Sequence, residues 1–327
     1  MKPKIKIILI TGFLGAGKTS FLNHLLTENT DKSIKIIENE VGEINIDSKL
    51  LRNQNTTSLI EVSQGCICCS VANKLMEAME EILRDTKPAE YLIIEATGIA
   101  DPIAIVSPIQ SDNFLMQNYE MASVICLVDA VLMPQQVDEY AEIARQISVA
   151  DFLYINKSDL IIESDKTELE KLVRLYNPIA PIKFIMNGVS DTTSLLKFRM
   201  SDAAHTEKQI RRLSAVLLPG HSKIEMSYIE LDGYFDLKRF EFWFEYFLAI
   251  NKNSIIRLKA IIHFRDAGEC YVLQSVGTAY TIQDASGLPD ISTGLNQFVI
   301  IGKNLNTDSI KQSLLYLLEG DLESIIE

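Results

Sequence analysis

The sequence contains no apolar run long enough to cross a bilayer, no surplus of basic charge and no histidine-rich tract. Each absence removes a class of function. The first rules out a membrane-spanning helix. Against 31 Lys and Arg stand 44 Asp and Glu, a net charge of −13. A surface that acidic repels phosphate backbones and anionic lipid, so neither nucleic acid nor a membrane is an expected partner. The four histidines, His24, His205, His221 and His263, are scattered, and His24 reads as packing or solvent-facing. Cysteine is scarce too. There are five, an odd number, and three crowd into Cys66-Ile67-Cys68-Cys69. That pattern is no disulfide framework in a chain of 327 residues, and it points to a reduced, cytoplasmic setting. Cys126 and Cys270 fall in apolar runs and read as structural. Met1 to Ile10 has three lysines and an apolar stretch, but the stretch is too short for a signal peptide and no cleavage site follows. A first core strand is the better reading.

What is present is an alternation of short apolar runs and amphipathic stretches. Ile5–Ile10, Ser33–Ile37, Leu59–Val62, Tyr91–Ile94, Ser123–Val128, Phe152–Ile155 and Ile182–Ile185 read as strands apolar on both faces, as a largely parallel sheet requires. Between them, Val71, Leu75, Met79, Ile82 and Leu83 recur at helical spacing. So do Leu169, Leu172, Val173 and Tyr176, with Thr167 and Glu170 offering a capping box. The expected fold is α/β, a largely parallel P-loop NTPase sheet with helices on both faces, followed by a smaller C-terminal α+β domain. The expected divisions are a nucleotide domain over 1–200, a linker over 201–223 around Pro219-Gly220, and a second domain over 224–327. In the last, Ile224–Leu231, Ile255–Phe264, Cys270–Val276 and Phe298–Ile301 read as strands. Leu237, Phe240, Phe244, Phe247 and Leu248 mark one helical face, and Ile310–Leu318 closes as a helix.

The first strand runs into Gly12-Phe13-Leu14-Gly15-Ala16-Gly17-Lys18-Thr19, the spacing of a phosphate-binding loop. Its chemistry requires these types. Glycines let backbone N–H groups turn inward around an anion, and the following helix presents its positive end. Gly12, Gly15, Ala16, Gly17, Lys18, Thr19 and Ser20 are the expected nucleotide contacts. Lys18 can reach the β and γ phosphates, and the Thr19 hydroxyl can hold Mg²⁺. Downstream, Leu92-Ile93-Ile94-Glu95-Ala96-Thr97-Gly98 ends an apolar strand in an acid and a glycine. Glu95 can hold Mg²⁺, and the Gly98 amide can sense the γ-phosphate. Lys18 and Glu95 are therefore the expected catalytic groups. No glutamine stands where it would obviously position the attacking water. Asn156-Lys157-Ser158-Asp159 follows another strand. A carboxylate at Asp159 can accept from the N1 and N2 donors of guanine, a pair adenine lacks, so the expected nucleotide is GTP.

Three thiols between the phosphate loop and Glu95 are a second signal. A helix after Cys69 would favour thiolate, and thiolates suit Zn²⁺, Co²⁺ or Cu⁺. Upstream, Glu38-Asn39-Glu40-Val41-Gly42-Glu43 supplies oxygen ligands. Metal binding is the favoured reading of the spacing; the alternatives are a solvated loop or Mg²⁺ ligands for the acids, and redox-active or buried thiols.

Together these segments resemble the CobW-type metallochaperone GTPases, relatives of the UreG and HypB nickel-insertion GTPases. The resemblance runs over residues 5–190 with the motifs in order and includes Asn177-Pro178-x-Ala180. It implies a slow GTPase, working with Mg²⁺, that carries Zn²⁺ (or Co²⁺/Ni²⁺) to a client protein. It assigns Cys66, Cys68 and Cys69 as thiolate ligands and Glu38 and Glu43 as oxygen ligands. P-loop GTPases of this type often pair, so a homodimer is a further expectation. Many family members carry a His-rich stretch, which this chain lacks. The alternative reading is a regulatory GTPase whose metal occupancy switches a partner interaction.

Overall fold

Seven apolar runs pair into one fully parallel sheet in the computed structural model, which describes residues 3–40, 58–63, 70–86, 88–192, 195–196, 224–265, 270–285 and 294–319. The strands are β1 (Ile5–Gly12), β2 (Ile34–Glu40), β3 (Ser58–Ser63), β4 (Tyr91–Glu95), β5 (Tyr119–Asp129), β6 (Phe152–Asn156) and β7 (Ile182–Phe184). Their order is β3-β2-β4-β1-β5-β6-β7, which puts β1 at the centre. Ile7, Ile8, Leu9 and Ile10 are all fully buried, so both faces of β1 are covered. The helices of this unit are α1 (Lys18–Glu28), α2 (Ser70–Arg84), α3 (Pro102–Ser111), α4 (Asn113–Asn118), α5 (Met133–Gln136), α6 (Ala141–Val149) and α7 (Glu163–Arg174). Phe21, Leu22 and Leu25 of α1 pack with Ile8, Ile10, Ile93, Ile125 and Tyr154 into the core on one face of the sheet.

One local expectation is corrected. The capping box at Thr167 and Glu170 does not form, because α7 begins four residues earlier at Glu163. Glu163 and Asp165 sit in its first turn, where carboxylates suit the helix dipole, and Thr167 donates to the Glu163 carbonyl from inside the helix. His24 takes the packed one of its two expected placements. Its Nε2 lies 2.7 Å from the Ser190 carbonyl, and Asn29 Nδ2 donates to Thr192 Oγ1 at 3.1 Å. These contacts tie α1 to the chain that follows β7.

The chain divides into two compact units, Met1–Met200 and Ser201–Glu327. The second holds β8 (Glu225–Asp232), α8 (Leu237–Ile250), β9 (Ile255–His263), β10 (Cys270–Val276), β11 (Ala279–Asp284), β12 (Leu295–Gly302) and α9 (Thr307–Glu319). Its sheet is antiparallel, in the order β11-β10-β9-β12-β8. Asp236 starts α8 by accepting from Arg239 N at 2.8 Å. Phe240, Phe244 and Phe247 of α8 then meet Phe235, Phe264 and Phe298 in an aromatic core. β11 was not expected. It is a half-exposed edge strand whose residues alternate Tyr, Thr, Ile and Gln, a weak apolar signal. Among the described residues, no helix is long and apolar enough to cross a membrane.

Candidate nucleotide and metal site

The carboxyl ends of β2, β4, β1, β5 and β6 lie side by side, and in that order they carry Glu38, Glu95, the glycine-rich loop, Asp129 and Asn156. Ligands of open parallel sheets bind at such an edge. The loop leaves β1 and enters α1 through Gly17, whose φ of 94° is left-handed. A side chain there would also lie 2.2 Å from Asn156 Nδ2, so only glycine fits. Ala16 is fully buried, Gly15 opens to solvent, and Ser20 is exposed on the first turn of α1. Lys18 Nζ donates to the carbonyls of Gly12 at 3.0 Å and Phe13 at 3.3 Å, so the ammonium sits across the mouth of the loop. Thr19 Oγ1 donates to Glu95 Oε1 at 2.9 Å.

Glu38 is buried and stands beside Glu95 in the β2–β4 ladder. On its other side the ladder neighbour is Glu61 of β3. One row across three strands therefore holds three acidic positions. Residues 64–69 connect the carboxyl end of β3, next to Glu38's strand, to α2 at Ser70. Glu43, Cys66, Cys68 and Cys69 lie outside the described residues. Among the described residues, no three of His, Cys, Asp and Glu gather closely enough to hold a metal ion. Cys126 is one of the core cysteines. Burial pushes its thiol pKa up to about 12, which leaves it an unreactive thiol.

On the other side of the loop, Asn156 works as a strap. Its Nδ2 donates to the Ala16 carbonyl at 3.0 Å and its Oδ1 accepts from Gly188 N at 3.1 Å. Lys157 takes a left-handed backbone, φ 61°, and its Nζ meets Asp129 Oδ2 at 2.6 Å. The other oxygen of Asp129 accepts from Val131 N and Leu132 N at 2.8 and 3.0 Å. Asp159 is exposed in the short 3-10 turn Ser158–Leu160. That turn is backed by the loop after β7, since Ser158 N and Oγ both donate to the Ile185 carbonyl. Asp129 and Gly188 support the predicted residues without any signal having singled them out, and Ser158, quoted within the motif, supports them in a role the motif did not assign. Asp129 could have been noticed as the acid closing a long apolar strand.

Beyond Glu95 the chain makes a tight turn, with Ala100 N donating to the Thr97 carbonyl at 3.0 Å. Gly98 in this turn presses on the glycine-rich loop, where an added side chain would fall 2.6 Å from Leu14 N. Asn177, fully buried, donates to the Ile147 and Ala150 carbonyls at 2.7 and 2.9 Å and accepts from Ile179 N and Ala180 N. The Asn177 to Ala180 segment thus anchors the carboxyl end of α6.

The model of the CobW/HypB/UreG nucleotide-binding domain matches residues 6–184 of this sequence, with the loop, both acids and Asn156 to Asp159 inside the match. The chain belongs to that family. The cobalamin synthesis protein cobW C-terminal domain matches residues 224–318. The zinc chaperone YjiA of Escherichia coli (strain K12) is 30% identical over 285 residues, covering 86% of this chain and 88% of the relative. The zinc-regulated GTPase metalloprotein activator 1 of Schizosaccharomyces pombe is 30% identical over 218 residues, 64% of this chain and 53% of that longer protein. The crystal structure of Zn(II)-bound YjiA GTPase from E. coli covers 96% of this chain and 99% of its own, with a TM-score of 0.68 at 24% identity. That likeness establishes a shared fold: a P-loop NTPase sheet with a separate antiparallel C-terminal sheet. This is a member of a family of GTPase metallochaperones.

Proposed function

We propose that this protein hydrolyses GTP and uses the cycle to hold and release Zn²⁺, or a similar transition metal, for a client protein. The observation that carries the reading is the ladder row in which Glu38 stands beside Glu95, while Glu95 takes the Thr19 hydroxyl at 2.9 Å. An oxygen donor of the cargo site and the phosphate-proximal acid thus share adjacent strands. Lys18, at the loop mouth, is the group that reaches the β and γ phosphates. Thr19 and Glu95 are hard oxygen donors and fit Mg²⁺, which when bound would neutralise charge on the phosphates. Asp159 reads the guanine N1 and N2 donors from its exposed turn. Asn156 holds that turn to the loop, and Lys157 ties it to Asp129 at the end of β5.

In the hydrolytic step, a water oxygen bonds to the γ-phosphorus while the bond from that phosphorus to the β–γ bridging oxygen breaks. The products are GDP and inorganic phosphate, with the water proton released. Cys66, Cys68, Cys69, Glu38 and Glu43 make up the cargo site, a soft thiolate set completed by oxygen. Support comes from the relatives named zinc chaperone and from the order of the motifs along the chain. With the γ-phosphate present, Glu38 of β2 and the turn after β4 would be held together, and hydrolysis would release them. The test is phosphate release from GTP and ATP by wild-type protein and Lys18→Ala, with and without zinc. The expected result is slow, GTP-selective turnover that Lys18→Ala abolishes. Equal turnover of GTP and ATP, or turnover that survives Lys18→Ala, contradicts the proposed function.

A further inference from the structure

Helix α6 grips the turn after β4 with two adjacent side chains. Gln146 is 1% exposed, and its Nε2 donates to the carbonyls of Gly98 at 3.0 Å and Ala100 at 3.1 Å. Its Oε1 accepts no hydrogen bond among the described residues. The two carbonyls therefore fix the orientation of the amide. Turned over, three oxygens would face one another with no proton between them. Arg145, next along the helix, pairs with Asp101, whose other oxygen accepts from Ile103 N and caps α3.

The helix itself is well anchored. At its amino end, Tyr140 lies against the Phe13 ring of the glycine-rich loop, with centroids 4.9 Å apart. At its carboxyl end, Asn177 holds the Ile147 and Ala150 carbonyls. Gln146 is thus the point at which a fixed helix sets the position of Gly98 against Leu14.

We infer that Gln146 is a positioning residue that holds the Thr97–Ala100 turn ready for the terminal phosphate and so sets the preference for GTP over GDP. This rests on the GTPase reading above. On that reading the Gly98 amide meets the γ-phosphate, which a diphosphate lacks, so only GTP gains from having the turn held in advance. A ligand shifts a conformational equilibrium only by its differential affinity for the two states. Releasing the turn therefore weakens GTP more than GDP. A purely structural role for Gln146 would lower both affinities or the melting temperature and leave their ratio alone.

The experiment measures binding of fluorescent GDP and of a non-hydrolysable GTP analogue, with Mg²⁺, to wild-type protein and Gln146→Met. Methionine keeps the shape and removes both donors. The expected result is an analogue-to-GDP affinity ratio lowered by about tenfold, equivalent to about 1.4 kcal/mol. Gln146→Asn retains the amide on a shorter arm and should recover part of the ratio. Hydrogen exchange on the wild type needs no variant: the Ala100 N–H should be protected in nucleotide-free protein. An unchanged ratio in Gln146→Met, or an unprotected Ala100 amide, overturns the inference alone. A wild type that binds no guanine nucleotide overturns the GTPase reading and this inference together.

Discussion

Replacing Asn156 with alanine removes one side chain that serves two distant backbone groups. Its Nδ2 satisfies the Ala16 carbonyl, 140 residues away in sequence, and its Oδ1 satisfies Gly188 N. The residue is 3% exposed, so water cannot easily replace either partner. Each buried group left unpaired costs about 1–3 kcal/mol. Two of them, taken toward the low end, come to about 3 kcal/mol. The loss falls on the junction of the glycine-rich loop, the Lys157 turn and the loop after β7, which is the arrangement a nucleotide needs. At about 1.4 kcal/mol per factor of ten, nucleotide affinity should fall by about 100-fold. Fluorescent GDP titration measures the affinity, and circular dichroism melting measures the stability. Affinity within twofold of wild type, with an unchanged melting temperature, would refute the assignment of Asn156 as the strap.

Asp159→Asn should erode the preference for GTP over ATP by about tenfold or more in a competition assay, with little effect on stability because Asp159 is exposed. Unchanged selectivity would remove Asp159 from the guanine site. Phe240→Ala should destabilise the C-terminal unit by about 3–5 kcal/mol. Phe240 is fully buried and has Phe235, Trp243, Phe244, Phe264 and Phe298 as ring neighbours. Trp243 is the single tryptophan, so urea unfolding followed by its fluorescence reads that unit directly; an unchanged midpoint would contradict the core assignment. His263 is 4% exposed, and burial holds its pKa below the ordinary 6.5. The unfolded chain therefore takes up the proton first. The stability is fully present above about pH 6.5 and declines as the pH falls through the lowered value. His263→Gln should flatten that decline in the Trp243 signal, and an identical pH profile in both proteins would sink the claim.

The parts of this molecule that were legible in the sequence are those with local signatures. Strands buried on both faces are continuous apolar runs, and Ile5 to Ile10 announced β1 and the loop behind it. The glycine-rich loop, Glu95 and Asn156 to Asp159 carry their chemistry in contiguous residues. What stayed hidden acts across the fold. Gln146 looks like an ordinary polar residue of an amphipathic helix, and its partners are backbone carbonyls 46 and 48 residues away, whose positions no periodicity encodes. Gly188 sits in a loop with no motif, yet its N–H serves Asn156. The Thr167 capping box failed because two acids upstream extended the helix. β11 was missed because an edge strand needs only one moderately apolar face.

In the proposed cycle, nucleotide state controls metal affinity through the row holding Glu38 and Glu95. The most direct measurement is a competitive-chelator titration of the reduced protein with Zn²⁺, comparing Mg²⁺–GDP with Mg²⁺ and a non-hydrolysable GTP analogue. Coupling is reciprocal, so zinc should tighten the analogue by the same factor by which the analogue tightens zinc. Zinc should bind at least tenfold tighter with the analogue. Equal zinc affinity in the two nucleotide states would contradict the proposed cycle.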